Sequence, residues 1–299
     1  MQENLSKLAN NDPLTTEWKQ WINDNLARGC TPEALIEIMT EQNFDPIFAR
    51  TYIHWLCSSR SASAAASEFV DKIALPDASY IYETPRLPQT GNIIKTADRD
   101  VRVTLRMTKP VVALFDNLFT SKECDELIRL ASIKLERSTI VDPKTGQEEI
   151  IQERSSYGTY FNLNENKFIA RLDRRIATVM NWPLENGEGI QILNYKVGAE
   201  YKAHFDYFPP GDPGSAAHIA KGGQRVSTLV MYLNDVEAGG ETALPELGLT
   251  IAPKKGSALY FEYCNSLNQV DPLSLHSGMP VIAGEKWIAT KWMRQNRYG

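Results

Sequence analysis

Residues 195–206 read YKVGAEYKAHFD, and this stretch decides how the rest of the chain is interpreted. In a strand, residues i and i+2 point to the same face of the sheet, so we expect His204 and Asp206 to project together. An imidazole beside a carboxylate supplies two ligands of a metal site that lacks a third. The residue best placed to complete the set is His276, which lies 70 residues after Asp206.

Two histidines and one carboxylate on one face of an ion leave the opposite coordination positions open, an arrangement typical of non-haem Fe(II) oxygenases. An HxD pair alone is a common pattern and also fits a purely structural role. Lys286 follows His276 by ten residues, with Pro280 and Gly284 between them to turn the chain. A buried cation is costly unless it meets an anion, and the far carboxylate of 2-oxoglutarate would be such a partner.

Other polar side chains are predicted to share this interior. Strand alternation places Thr290 and Trp292 on the same face as Lys286. Three tyrosines add hydroxyl groups near the predicted ligands, namely Tyr195, Tyr201 and Tyr232.

The chain divides into three parts by composition and pattern. Residues 1–58 predict a small all-α domain of three short helices, which is either a structural appendage or a module that docks a protein partner or a second copy. Residues 59–100 begin with mostly small side chains and continue with several prolines, a pattern that predicts a connector. Residues 101–299 predict many short strands and two good helices, which favours a sandwich or barrel.

Local signals place the two helices of the third part. Thr120 and Glu123 form a capping box ahead of an apolar periodic run. A second helix is predicted over about 165–180, and the proline- and glycine-rich residues 209–214 predict a loop. Neither a P-loop nor a Rossmann fingerprint is present in the sequence, which argues against a nucleotide cofactor.

Composition excludes several classes of protein. The chain has 299 residues, with 32 Lys+Arg and 37 Asp+Glu, a formal net charge of −5. This balance argues against a nucleic-acid partner, and no apolar run approaches the about 20 residues of a membrane span. The four cysteines form no CxxC, and residues 1–4 do not resemble a secretory signal, so we expect a cytoplasmic protein.

Residues 101–297 resemble the catalytic domain of the prolyl 4-hydroxylase superfamily of Fe(II)/2-oxoglutarate dioxygenases. His204, Asp206, His276 and Lys286 match that family's metal and 2-oxoglutarate positions. Five further ordered stretches resemble family motifs: RSSYGT at 154–159, QRV at 224–226 with YLN at 232–234, GGET at 239–242, LHSGMPV at 275–281, and GEKW at 284–287.

The resemblance implies an α+β fold with a double-stranded β-helix (jelly-roll) catalytic core, flanking helices and an added N-terminal helical domain. It implies that His204, Asp206 and His276 bind Fe(II). Cofactor binding would then fall to Lys286 with Tyr195 or Tyr232 and Thr290, and the substrate side would be lined by Tyr201, Arg154 and Trp292.

The implied reaction is hydroxylation of a C–H bond, foremost on a prolyl residue of a peptide or protein, with succinate and CO₂ as co-products. Besides Fe(II), 2-oxoglutarate and O₂, ascorbate could serve as a reductant. Three alternatives stay open at this point: hydroxylation of a free amino acid or small metabolite, a cupin-type metal enzyme without 2-oxoglutarate, which would leave Lys286 unexplained, and a non-catalytic binding or sensing protein.

Overall fold

The computed structural model describes most of the chain. The described residues are 16–42, 44, 49, 53, 56, 80–141, 147–149, 151 and 153–299. The chain separates into two compact units, Met1–Pro76 and Asp77–Gly299. Residues 59–79 of the predicted connector lie outside the described part.

The first unit is helical in its described residues. Helix α1 covers Thr16–Ala27 and helix α2 covers Pro32–Glu41. The Thr31 side chain accepts a hydrogen bond from the Ala34 N–H and Pro32 follows at the first helical position, which together begin this helix. A separate apolar core holds this unit, formed by Trp18, Ile22, Leu35, Ile36, Met39, Ala49, Ile53 and Leu56.

The second unit combines strands with helices. The strands are β1 Ile93–Lys95, β2 Asp100–Thr108, β3 Val111–Asp116, β4 Glu136–Arg137, β5 Ile140–Val141, β6 Glu148–Glu149, β7 Tyr157–Phe161, β8 Ile190–Tyr195, β9 Tyr201–His204, β10 Arg225–Tyr232, β11 Ala238–Gly239, β12 Thr242–Leu244, β13 Leu249–Ile251, β14 Ala258–Glu262, β15 His276–Gly278, β16 Val281–Ala283 and β17 Lys286–Arg294. The α-helices are α3 Ser121–Ser132, α4 Lys167–Met180 and α5 Pro213–Ala220, and 3₁₀ turns cover Leu184–Asn186, Pro245–Leu247 and Pro272–Ser274.

Two antiparallel sheets build the jelly roll. In the described part of the chain, the large sheet has the order β1-β2-β3-β14-β10-β17-β8-β7-β4 and the small sheet the order β13-β12-β15-β9. Contacts such as the Phe261–His276 ring pair, with centroids 4.7 Å apart, join β14 of the large sheet to β15 of the small one. The expected α+β jelly roll with N-terminal helices is therefore confirmed.

Strand β17 shows how the core is divided. All nine of its residues are buried, as expected for a central strand covered on both faces. Lys291 reaches the helical side, where its ammonium group lies 2.8 Å from the Asp173 carboxylate of α4. Successive side chains alternate between faces, so Lys286, Thr290 and Trp292 lie on the opposite face, towards the small sheet.

Helices α3 and α4 confirm the local predictions. Thr120 and Glu123 form the complete capping box at the start of α3. Helix α4 occupies almost the predicted range and ends at Asn181 in the left-handed conformation, φ 48°. The buried Arg175 of α4 binds Glu123 at 2.8 Å and Asp98 at 2.6 Å, which ties both helices to the β1–β2 turn.

Two segments differ from the sequence-based expectation. Residues 80–100, placed in the connector by their prolines, belong to the second unit, where Arg86 binds Glu262 at 2.9 Å. The expected loop around 209–214 runs directly into helix α5, because Pro213 occupies a first helical position after Asp212. No helix among the described residues is long and apolar enough to cross a membrane.

Candidate active site

Three predicted metal ligands meet between the two sheets. One ligand atom from each of His204, Asp206 and His276 lies within 4.8 Å of the others. The two histidines are direct partners across the β9–β15 ladder, and their ring centroids are 4.3 Å apart. Asp206 lies beyond the end of β9, so the strand argument for its direction does not apply, yet its carboxylate reaches the same point.

Backbone carbonyls fix the orientation of both imidazoles. His204 Nδ1 lies 2.8 Å from the Lys202 carbonyl oxygen, and His276 Nδ1 lies 2.9 Å from that of Ser274. A carbonyl only accepts, so in each ring Nδ1 carries the proton and donates it. Nε2 is then left with its lone pair, which is the state a metal ligand requires.

The charge states also suit a divalent metal ion. Desolvation, reinforced by the adjacent His276, lowers the pKa of His204 to about 3, so the ring is neutral at pH 7. Burial opposes ionisation of Asp206, but His276, His204 and Arg225 outweigh it and lower the pKa of that carboxyl to about 2. Two imidazoles and one carboxylate form the donor set of a non-haem Fe(II) site.

Lys286 is a buried cation facing this site. Only 2% of its surface is exposed, and burial lowers its pKa to about 7, against a smaller opposing effect of Glu241. Its ammonium nitrogen lies 5.5 Å from the ring centroid of Tyr195, its register partner on β8. Among the described residues it forms no ion pair, so the arrangement favours an anionic ligand there.

The other predicted cofactor residues are distributed along the large sheet. Tyr195 is the tyrosine beside Lys286, whereas the Tyr232 hydroxyl donates to Thr242 Oγ1 at 2.9 Å. Thr290 is buried on the Lys286 face of β17, about 13 Å further along the strand. The sequence analysis did not identify Thr242 as a candidate site residue, although Thr242 lies within the GGET stretch that resembles a family motif.

Arg154 and Tyr201 form one wall of the site. They pair across an isolated β-bridge, and the Arg154 guanidinium lies 4.8 Å from the Tyr201 ring centroid. The Tyr201 ring in turn stacks on His204 with a centroid separation of 3.5 Å. Arg154 is fixed by the Thr139 carbonyl oxygen at 2.7 Å and by Gln191 Oε1 at 3.2 Å. Tyr201 thus lies directly against the candidate metal ligand His204, and Arg154 lies against Tyr201.

Trp292 lies on the other side, beneath a guanidinium group. Arg225 covers its ring at 4.0 Å from the centroid, and Arg225 is itself held by Glu188 at 2.7 Å. The Trp292 indole N–H and the Arg154 Nε–H are both buried without a hydrogen-bond partner among the described residues. The sequence analysis did not identify Arg225 or Glu188 as candidate site residues. Arg225 does lie in the QRV stretch that resembles a family motif, and this was the one sequence feature that pointed to it.

Comparison with known proteins now identifies the family. Residues 190–294 match the family model described as the 2OG-Fe(II) oxygenase superfamily. A probable prolyl 4-hydroxylase 10 from Arabidopsis thaliana is 39% identical over 209 residues, which cover 64% of this chain and 71% of that protein. The chain belongs to the prolyl 4-hydroxylase family of 2OG-Fe(II) oxygenases.

Other prolyl 4-hydroxylases are similar to nearly the same extent. Prolyl 4-hydroxylase 5 from Arabidopsis thaliana is 37% identical over 209 residues, covering 64% of this chain and 70% of that protein. Among solved structures, a viral collagen prolyl hydroxylase from Paramecium bursaria Chlorella virus-1, in complex with 2-oxoglutarate, is 30% identical. The match covers 61% of this chain and 95% of the viral protein's chain, with a TM-score of 0.49.

Family membership confirms the predicted enzyme class and cofactors. This prolyl 4-hydroxylase family member is a dioxygenase that depends on Fe(II), 2-oxoglutarate and O₂. The donor atoms at His204, Asp206 and His276 fit that metal by their chemistry, as shown by the free Nε2 atoms and the ionised carboxylate. The alternatives of a cupin-type enzyme without 2-oxoglutarate and of a non-catalytic protein are set aside.

Proposed function

We propose that this enzyme hydroxylates a prolyl residue of a peptide or protein. The observation that carries the proposal is the pairing of three convergent metal ligands with the buried Lys286 on the facing sheet. The relatives named as prolyl 4-hydroxylases support prolyl as the target. In the overall reaction, one C–H bond of the substrate, 2-oxoglutarate and O₂ would give one C–OH bond, succinate and CO₂.

His204, Asp206 and His276 would hold the metal. Bound Fe(II) supplies the redox chemistry with O₂, which no side chain of the protein can perform. The three residues would present two imidazole nitrogens and one carboxylate oxygen to it. This donor set would leave coordination positions for the co-substrate and O₂.

Lys286 would bind the distal carboxylate of 2-oxoglutarate. Burial makes its isolated positive charge unfavourable, so an incoming carboxylate gains a charge-assisted hydrogen bond in a site that excludes water. Tyr195 lies beside the ammonium group, and Tyr232, hydrogen-bonded to Thr242, lies on the same sheet. We include Thr290 in this set because it shares the Lys286 face of β17.

Arg154, Tyr201 and Trp292 would line the substrate side. Tyr201 stacks on His204 and lies under the Arg154 guanidinium, and Trp292 lies under the Arg225 guanidinium on the other side. The relatives named as prolyl 4-hydroxylases support a peptide over a free amino acid as the substrate there.

The metal and co-substrate sites can be tested without turnover. Fe(II) and 2-oxoglutarate are titrated into the apo-enzyme without oxygen, and the visible spectrum is recorded. We expect a weak metal-to-ligand charge-transfer band in the wild type that is lost in His276→Ala. Lys286→Met should require far more 2-oxoglutarate, whereas Lys196→Met, a matched change at an exposed lysine, should not. Absence of the band in the wild type at saturation would contradict the proposal.

The substrate class needs a second experiment. Proline-containing peptides and free amino acids are incubated with the loaded enzyme, and mass spectrometry detects the gain of one oxygen atom. Succinate release is measured in parallel to confirm coupling. A gain on prolyl peptides alone is the expected result, and a gain only on free amino acids would replace the peptide assignment by the metabolite alternative.

A further inference from the structure

Asp206 differs from the two histidine ligands in how it is held. His204 and His276 lie within paired strands, and their rings donate to nearby backbone carbonyls. Asp206 lies past the end of β9, where no strand pairing fixes its direction. Its backbone carbonyl accepts from Arg225 Nη1 at 3.2 Å, but this bond leaves the carboxylate free to rotate about its own side-chain bonds. The carboxylate therefore needs a separate support.

Thr228 supplies a bond to one carboxylate oxygen. Its hydroxyl oxygen lies 2.7 Å from Asp206 Oδ2, and the residue is completely buried. Thr228 is on β10, which pairs with β14 on one side and β17 on the other, so its backbone is fixed from both sides. A β-branched side chain also has few rotamers. The hydroxyl is thus a rigid donor aimed at Asp206.

Tyr263 completes a chain of hydrogen bonds. Its hydroxyl oxygen lies 2.9 Å from Thr228 Oγ1, and either atom could donate by distance alone. A carboxylate that binds a metal can only accept, so Thr228 donates its single proton to Asp206 Oδ2. The phenol must then donate to Thr228. Burial raises the pKa of Tyr263 well above its ordinary value, so the phenol keeps the proton that this role requires.

We propose, on the basis of the function proposed above, that Thr228 and Tyr263 are positioning residues that hold the Asp206 carboxylate for the metal through the chain Tyr263–Thr228–Asp206. A hydrogen-bonded partner of a metal ligand fixes its orientation and typically contributes about 10- to 100-fold to metal affinity. Successive hydrogen bonds polarise one another, so the phenol strengthens the bond that Thr228 makes.

The test measures metal binding alone, without 2-oxoglutarate, oxygen or turnover. Mn(II) is titrated into the full-length apo-protein, and the free ion is counted by electron paramagnetic resonance. Thr228→Val keeps the shape but removes the hydroxyl, and should weaken Mn(II) binding about 10-fold or more. Thr228→Ser keeps the hydroxyl and should stay close to wild type. Tyr263→Phe should give a smaller loss.

The double variant distinguishes a chain from two separate effects. If Tyr263 acts through Thr228, the Thr228→Val, Tyr263→Phe double variant should bind Mn(II) no more weakly than Thr228→Val alone. Losses that simply add would overturn the chain, as would wild-type affinity in Thr228→Val. Should Thr228→Val fail to fold, judged by its thermal melt, wild-type affinity in Tyr263→Phe would overturn it instead.

A further variant separates this inference from the proposed function. Asp206→Ala should lose tight Mn(II) binding. If the wild type binds no better than Asp206→Ala, the metal site itself is wrong, and the proposed function fails with it. If Asp206→Ala loses binding while Thr228→Val does not, only the positioning role is refuted.

Discussion

Raising the pH should weaken 2-oxoglutarate binding, because Lys286 loses its proton near neutral pH. Burial lowers the pKa of this lysine to about 7 in the protein without ligand. The protonated fraction then falls from about 0.8 at pH 6.5 to about 0.03 at pH 8.5. If only the charged form pairs with the carboxylate, the affinity falls roughly 25-fold, or about 1.9 kcal/mol.

Isothermal titration calorimetry of 2-oxoglutarate into the Mn(II)-loaded protein, without oxygen, measures this dependence. Binding at pH 8.5 should also take up nearly one proton for each 2-oxoglutarate, since the bound carboxylate restores the charge of Lys286. Repeating the titration in buffers of different ionisation enthalpy gives the number of protons directly. Below pH 6.5 the affinity should become independent of pH, because the lysine is already protonated.

Two variants make the experiment decisive. Lys286→Arg carries a permanent charge, so its affinity should not change between pH 6.5 and 8.5, whatever its absolute value. Lys196→Met, at an exposed lysine, should keep the wild-type pH dependence. A wild type with constant affinity and no proton uptake would refute the reasoning, and an equally steep dependence in Lys286→Arg would assign the titration to another group.

Three further changes test the framework around the site. Glu123→Gln should make the free energy of unfolding depend less on pH in acid. Burial opposes ionisation of Glu123, but hydrogen bonds to Arg175 outweigh it and lower the pKa of this carboxyl to about 2. The carboxylate therefore contributes about 3 kcal/mol to stability above pH 4.5, and this contribution disappears towards pH 2. Asp173→Asn should lower the free energy of unfolding by about 3 kcal/mol, because it leaves the buried Lys291 unpaired. Gly239→Ala should cost about 2 kcal/mol or more, because a Cβ at φ 73° would lie 2.7 Å from the Ile282 backbone nitrogen.

Denaturant unfolding at several pH values checks all three changes. Glu126→Gln, an exposed carboxylate on the same helix, is the control for the acid prediction, and equal pH profiles of both variants would contradict it. Gly198→Ala has a similar φ of 79° but open space around the added Cβ, so it should cost less than Gly239→Ala. An Asp173→Asn variant as stable as the wild type would show that Lys291 loses its charge without cost.

Sequence patterns were most informative where one local signal determines one structure. The Thr120–Glu123 capping box and the apolar period of α4 were both correct, because capping and amphipathicity depend only on neighbouring residues. Helix α5 was missed although Asp212 and Pro213 form the same residue pattern, a capping residue followed by proline, that begins α2. The nearby glycines and prolines, typical of loops, dominated the interpretation of that stretch.

The sequence predicted the three candidate ligands, which the structure brings together, but not the residues that support them. His204, Asp206 and His276 are recognisable because metals accept few residue types at few spacings. Thr228 and Tyr263 carry no such mark, since a threonine and a tyrosine in strands are ordinary core residues. Their connection to Asp206 depends on which strands pair and in what register, and local patterns do not determine that pairing.

The pairing of the two histidine ligands across one ladder has a consequence for how the chain can vary. His204 and His276 are 72 positions apart in the sequence but adjacent in β9 and β15. Insertions or deletions in the loops of the intervening segment leave this pairing intact as long as Asp206, β10 and β14 keep their positions and the two short strands keep their alignment. A slip of β15 by a single residue would instead turn His276 to the opposite face of its sheet. The site therefore tolerates changes in loop length within this segment and almost none in the alignment of its strands.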